Sequence, residues 1–184
     1  MSGSIIVTGA AGFIGARTVE ALRRDGASIV SVDFKDAFGA RPEHRGLDFG
    51  TIVEVDDLAK YLESAAVPAS IIHLGACTDT LEMDEALLAR RNLDYTRMLW
   101  TYCAKKRVPL AYASSAATYG DGEHGYADDE SRLNELHPLN PYGWSKHKFD
   151  LWALDQEKAG VSPPAWAGLK FFNVYGFGER HKAR

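Results

Sequence analysis

Cysteine is scarce: the 184 residues hold only two, Cys77 and Cys103. They sit in different expected elements, with neither a metal-ligand spacing nor the density of a disulfide framework. Reduced, mostly buried thiols and no metal site are the expectation. No apolar run approaches the ~20 residues that span a bilayer, and Met1-Ser2-Gly3 lead into an apolar stretch without a basic leader. Membrane partners are therefore excluded and the cytoplasm is the expected compartment. Positive charge is not in excess either, with 21 Lys and Arg against 25 Asp and Glu and a net charge of -4. The cations are scattered, so no basic stripe is available to neutralise a run of phosphates, which excludes nucleic acid. Internal repeats and low-complexity segments are absent as well. What remains is a chain with 46% hydrophobic residues, enough for one globular domain with a sizeable core.

Strands alternate with helices. Ser4 to Val7 is a short apolar run ending at Thr8-Gly9, and Phe13 to Asp25 repeats apolar residues with helical spacing. Ile29 to Asp33 reads as a second strand, and residues 34–46, with Gly39, Pro42 and many charges, as a loop. Between Gly46 and Val55 no strand is clear. Leu58 to Ala66 reads as a helix and Ile71 to Leu74 as a buried strand. Glu85 to Lys106 reads as one long amphipathic helix burying Leu87, Leu88, Leu99 and Trp100. Leu110 to Ala113 gives a strand stopped by Ser114 and Ser115, and a long polar excursion from Gly120 to Pro141 precedes the next helix. Pro163 and Pro164 close that helical region, and Ala167 to Phe172 is the last strand. This alternation predicts an α/β fold, a doubly wound parallel sheet covered on both faces.

Between the first strand and first helix lies Thr8-Gly9-Ala-Ala-Gly12-Phe-Ile-Gly15, where glycines permit a tight turn and close approach to a pyrophosphate at a helix N-terminus. Asp33 ends the second strand, where a carboxylate can accept hydrogen bonds from an adenosine ribose. That acid favours NAD. Lys35 follows closely, and Arg41 and Arg45 lie in the next loop, so a cation could admit the 2′-phosphate of NADP. For Arg41 and Arg45 a solvated loop is the plainer reading. Gly75-Ala76-Cys77 supply small residues beside a cofactor, with Cys77 a packing thiol because no histidine is placed to activate it.

Tyr142 and Lys146 share one face at the start of a helix. A cation ~5 Å from a phenolate at an effective dielectric of ~20 contributes about 3 kcal/mol, enough to draw a tyrosine down from ~10 by about two pH units. Such a tyrosine can act as a base. Ser114 and Ser115 leave their strand at its carboxyl edge, where open α/β sheets bind ligands. Ser115 can donate to a substrate oxygen there, and Ser114 reads as a turn former.

With Thr8 to Gly15, Ser115, Tyr142 and Lys146 in place, the chain resembles the extended short-chain dehydrogenases/reductases, enzymes of nucleotide-activated sugars. Four segments narrow the resemblance: Gly75-Ala-Cys-Thr78, Tyr112-Ala-Ser-Ser-Ala-Ala-Thr-Tyr-Gly120, Asn140-Pro-Tyr-Gly-Trp-Ser-Lys146 and Phe172-Asn-Val-Tyr-Gly176. They are similar to the ADP-L-glycero-D-manno-heptose 6-epimerase family across nearly the whole chain. The resemblance implies a Rossmann domain over residues 1–184 that holds NADP, with NAD possible, through Gly9, Gly12, Phe13, Ile14, Gly15, Asp33, Phe34, Lys35, Leu74, Gly75, Ala76, Cys77, Thr78, Asn92 and Lys146. It implies a nucleotide-sugar substrate contacted by Ser115, Asn173 and His181, a homo-oligomer, and a product used in lipopolysaccharide assembly. For Asn92 and Asn173, a buried asparagine satisfying backbone groups is the competing reading. The implied chemistry is transient oxidation at C6 of the heptose with Tyr142 and Lys182 as two bases on opposite sides, Lys146 lowering the Tyr142 pKa, and Ser115 binding substrate.

Family members continue for more than a hundred residues beyond the last motif, whereas this chain stops two residues after Lys182. The smaller C-terminal substrate domain is accordingly expected to be absent from it, leaving little or no turnover. Phe34 stands where these epimerases have a more polar residue, which leaves NAD against NADP open. Alternatives are an epimerase acting at C4 of a UDP-hexose, which would not need Lys182, and a non-catalytic dinucleotide-binding module. A 4,6-dehydratase fits less well, because Ala116-Ala117 replace its Asp-Glu pair.

Overall fold

The structure, a computed structural model, describes residues 3–179. The chain forms two compact units: one runs to Gly75 and also takes in Val108–Leu110 and the segment from Asn173, and the other comprises Ala76–Arg107 and Ala111–Phe172.

The first unit is built on parallel strands. β1 (Ile5–Thr8) pairs on one side with β2 (Ile29–Asp33) and on the other with β4 (Ser70–His73), while β2 pairs with β3 (Thr51–Glu54). Register sets Asp33 opposite Glu54, and Thr8 opposite both Val32 and His73. β3 is the strand that the sequence hid: it is four residues long and Val53 alone among them is buried. After β1 the chain turns into α1 (Phe13–Arg24), which packs Ala16 and Val19 against Val7, Ala10, Ile29 and Phe49. Fully burying a Val or Ile side chain is worth about 1.5–3 kcal/mol, so this cluster fixes the helix on the sheet. Residues 35–38 and 42–44 form short 3₁₀ turns where a plain loop was expected, and α2 (Leu58–Ser64) returns the chain to β4. The Ile71 N–H donates to the Pro109 carbonyl at 3.0 Å, which seats the start of β5 (Leu110–Ser115) beside β4.

In the second unit β5 continues beside β6 (Trp166–Phe171), so the strand order is β3-β2-β1-β4-β5-β6, a Rossmann-like α/β topology. The expected single helix from Glu85 to Lys106 is three pieces: α3 (Glu85–Leu88), a π-helical stretch over Ala89–Asp94, and α4 (Tyr95–Lys106). The widened turn holds the buried Asn92, a polar residue in an otherwise apolar stripe, and such π turns recur at functional sites. Trp100 is fully buried, in edge contact with Phe149, Trp152 and Trp166, and its indole N–H donates to the Val161 carbonyl at 2.9 Å. β5 does not stop at Ala113 as expected but runs through both serines. The excursion after Gly120 folds over Tyr119 with Leu133 and Leu136 and ends at α5 (Pro141–Lys158). No described helix is long and apolar enough to cross a membrane.

Glycine is obligatory at the β1–α1 turn. Gly9 has φ +66°, and a Cβ there would fall 2.6 Å from the Gly75 nitrogen; a Cβ on Gly15 would fall 2.0 Å from the Gly9 carbonyl oxygen. Both obstacles are backbone, so neither can swing aside. Gly15→Ala is therefore predicted to destabilise the protein by about 1–3 kcal/mol, as overpacking does. Chemical denaturation checks this, and an unchanged midpoint would contradict the packing described.

Candidate active site

The first unit offers an anion cradle. No side chain caps α1 and no acidic residue occupies its first turn. The Gly12 N–H bonds back to the Gly9 carbonyl at 3.0 Å, closing the turn. Against it lies Gly75, whose N–H donates to Thr8 Oγ1 at 3.2 Å, followed by the half-buried Ala76 and Cys77 and the exposed Thr78. Leu74, half-buried, donates its N–H to the Thr8 carbonyl at 3.1 Å. A Cβ at Gly9 or Gly15 would collide with the backbone of Gly75 or Gly9, so the turn is packed backbone on backbone at the start of α1.

Asp33 joins this cradle from the end of β2. One carboxylate oxygen accepts the Ala11 N–H at 2.9 Å and the other the Phe34 N–H at 2.9 Å. Burial pushes its pKa up; the two amides and the nearby Arg41 oppose that, and Glu54 reinforces it. A ribose hydroxyl donating to the remaining lone pairs would favour the charged form again. Glu54 was not anticipated from sequence: it accepts the Lys35 N–H at 3.0 Å and the Val55 N–H at 3.2 Å, tying β3 to the turn after β2. Phe34 and Lys35 are exposed, whereas Phe13 is buried and Ile14 half-buried. Arg41, expected in solvent, is half-buried, and Arg45 is exposed.

The second unit gathers Ser115, Tyr142 and Lys146. Asn140 starts α5 by accepting the Gly143 N–H at 2.7 Å, with Pro141 in the first turn, where a missing N–H costs nothing. A Cβ on Gly143 would sit 2.9 Å from the Ala117 carbonyl oxygen, so only glycine lets α5 approach the turn that follows Ser115. There the Ala117 N–H donates to Ser115 Oγ at 3.1 Å, and Ser115 lies near enough to Tyr142 to hold its pKa down against burial. One turn on, Lys146 is buried and donates from Nζ to the Ala113 carbonyl at 2.9 Å.

The electrostatics differ from the sequence reading. Burial raises the Tyr142 pKa, outweighing the Ser115 hydrogen bond, and Cys77 adds to the rise. Lys146 is itself pushed down to about 8 by burial, against the pull of Asp150. Pairwise Coulomb reasoning counted the attraction between the two groups and left out the desolvation of each.

Asn92 is an internal brace: Oδ1 accepts the Cys77 N–H at 2.8 Å, and Nδ2 donates to the Cys77 carbonyl and to Ser145 Oγ at 3.0 and 2.9 Å. Cys103 is buried and Cys77 half-buried. Ser114, read as a turn former, is buried and donates to Asp150 at 2.6 Å. Asp150 and its partner Lys170 were missed. A signal for Asp150 existed, since it continues the Tyr142, Lys146 face by another four residues; Lys170 arrives from a distant strand and had none. Asn173 is exposed, and His181 and Lys182 lie outside the described residues.

A raised tyrosine predicts a specific titration. Subtracting the ultraviolet tyrosinate titration of Tyr142→Phe from that of the native protein, without added cofactor, should leave a component with its midpoint above 10. A component appearing near neutral pH would contradict the dominance of burial.

The model of the NAD dependent epimerase/dehydratase family matches residues 5–184. The ADP-L-glycero-D-manno-heptose-6-epimerase of Fusobacterium nucleatum is 44% identical, aligned over 98% of this chain and 55% of its own length. Among solved structures, the Helicobacter pylori ADP-L-glycero-D-manno-heptose-6-epimerase superposes with a TM-score of 0.80 at 25% identity, over 98% of this chain and 58% of that one. MoeE5 in complex with UDP-glucuronic acid and NAD gives a TM-score of 0.75 at 30% identity, again over 98% and 58%. The chain thus spans about half the length of the curated relatives it matches. With the family match extending over nearly all of its length, the chain belongs to the NAD dependent epimerase/dehydratase family.

Proposed function

We propose that residues 1–184 are the dinucleotide-binding part of a cytoplasmic, homo-oligomeric nucleotide-sugar epimerase, which interconverts ADP-D-glycero-D-manno-heptose and ADP-L-glycero-D-manno-heptose at C6. The observation that carries the reaction class is the gathering of Ser115, held by the Ala117 N–H, beside Tyr142, with Lys146 buried one helical turn away. The sugar comes from the relatives: the F. nucleatum protein at 44% identity bears that activity in its name. Support for a nicotinamide cofactor comes from the glycine cradle, from the family description and from the NAD bound to MoeE5. Within that class we assign NADP, because Arg41 lies near enough to act on Asp33 and is a cation that a 2′-phosphate could meet. Glu54 beside Asp33 works the other way and makes NAD the alternative.

When bound, the nicotinamide supplies a hydride acceptor that returns the hydride to the same carbon. The chain's residues manage protons and position. Tyr142 rests as a neutral phenol; positive charge beside it would favour release of the phenol proton to solvent, and the phenolate then takes the carbinol proton as the hydride leaves and gives it back on re-reduction. Ser115 would donate to the substrate oxygen, on which negative charge develops as that proton leaves. Lys146, with a pKa of about 8, is mainly cationic at neutral pH and supplies part of the charge. One fixed base serves two opposite orientations of the same hydroxyl poorly, so Lys182 is assigned the second face.

The test uses the full-length enzyme with defined nucleotide-sugars. Tyr142→Phe should lower kcat by about 10²–10⁴-fold, the range of general acid–base contributions. Lys182→Met should abolish conversion of at least one heptose epimer, and full activity in that variant would remove Lys182 from the mechanism. Mass identification of the co-purifying cofactor should find NADP; finding NAD alone would overturn that assignment, and conversion of a UDP-hexose in place of the heptose would overturn the substrate.

A further inference from the structure

Asp150 is only 4% exposed, yet it is no part of the proton path. It accepts from the Tyr112 hydroxyl at 3.0 Å, from Ser114 Oγ at 2.6 Å and from Lys170 Nζ at 2.7 Å. Lys170 also donates to Thr118 Oγ1 at 2.7 Å and stands 5.3 Å from the centre of the Tyr119 ring. The cluster brackets the catalytic strand end. Tyr112 and Ser114 flank Ala113, whose carbonyl receives Lys146, and the Thr118 hydroxyl donates to the Ser115 carbonyl at 2.8 Å. The residues on either side of the Ala113 carbonyl are thus held by Asp150 through their hydroxyls, and the Ser115 carbonyl by Lys170 through Thr118.

We propose that Asp150 and Lys170 are a buried positioning pair, which fixes the Ala113–Ser115 strand end to which Lys146 is bonded and sets the electrostatic surroundings of that lysine. The catalytic part of this rests on the epimerase reading; the charge coupling does not. Around Lys146 and Tyr142 the titratable groups are His147 and Asp150 on α5, Tyr112 on β5, Lys170 on β6, Tyr119 in the turn after β5, and Cys77 after β4. Among them Asp150 holds the Lys146 proton against burial. Lys170 is paired with that carboxylate at 2.7 Å, whereas Lys146, bonded to the Ala113 carbonyl, feels Asp150 through its field alone. Removing the anion and removing its paired cation therefore act on Lys146 with opposite sign.

The sign is the test. Asp150→Asn keeps the shape and removes the charge; Lys146 should then lose its proton at lower pH, moving the alkaline limb of kcat down by about one pH unit. That is a roughly fivefold loss at the native midpoint, rising towards about tenfold at higher pH, with KM for the nucleotide-sugar little changed. Lys170→Met should move the limb up, and the double variant should return it close to the native position. The full-length holoenzyme is assayed, and the Lys146 titration is followed in parallel by lysine side-chain NMR, which needs no turnover. Uniform loss of kcat at every pH with an unmoved Lys146 midpoint, or shifts of the same sign in both single variants, would overturn the proposal. Should Asp150→Asn fail to fold, the upward shift in Lys170→Met and its reversal in the double variant decide. The predicted NMR shifts without epimerisation would uphold the pair and sink the epimerase reading alone.

Discussion

A single buried carboxylate organises the candidate catalytic residues. Asp150 takes the hydroxyls of Tyr112 and Ser114 and the ammonium of Lys170, and the carbonyl between those hydroxyls holds Lys146. A carboxylate so deeply placed is tolerable only when its lone pairs are satisfied and a cation is at hand, and here both conditions are met. The consequence reaches the surface chemistry: β5 keeps its strand geometry through Ser115, and Ser115 can then serve both the Ala117 amide and Tyr142. α5 carries an unusual load for a packed helix, burying Tyr142, Ser145, Lys146, His147 and Asp150 together. That polar burial is what a site requires and what a plain amphipathic helix would avoid.

The other unit works by a different physics. Its cradle is defined by absent side chains, with Gly9 and Gly15 allowing backbone contacts that a Cβ would forbid. Charge enters through Asp33, whose carboxylate is steadied by the Ala11 and Phe34 amides and by Arg41 and opposed by Glu54 across the β2–β3 register. Steric exclusion therefore shapes the proposed cofactor contact, and desolvated charge shapes the proposed proton chemistry.

The contrast explains what could be read in advance. The glycine turn, Asp33 and the Tyr142–Lys146 pair are local in sequence, and their meaning survives without coordinates. β3 escaped notice because four residues with one buried side chain carry almost no periodicity. The break at residues 89–94 follows from Asn92 bonding to the Cys77 backbone and to Ser145, partners far away in sequence. Ser114 looked like the end of a strand because a hydroxyl in a strand has no evident partner until Asp150 is placed against it. The Tyr142 shift came out with the wrong sign, since proximity to a lysine is visible in sequence and burial is not. His181 and Lys182 remain readings of the sequence, outside the described residues.

Membership of the epimerase/dehydratase family and a glycine-built turn beside Asp33 are the basis on which oxidation and re-reduction of one carbinol carbon is proposed. On that proposal the hydrogen on the carbon would leave and return without meeting solvent, while the hydroxyl proton would pass through Tyr142. The most direct measurement follows the full-length enzyme converting ADP-heptose labelled with deuterium at C6 in ordinary water. Retention of the label at C6 of the inverted product is the predicted result. Loss of the label to solvent would contradict hydride return and require inversion by deprotonation at carbon.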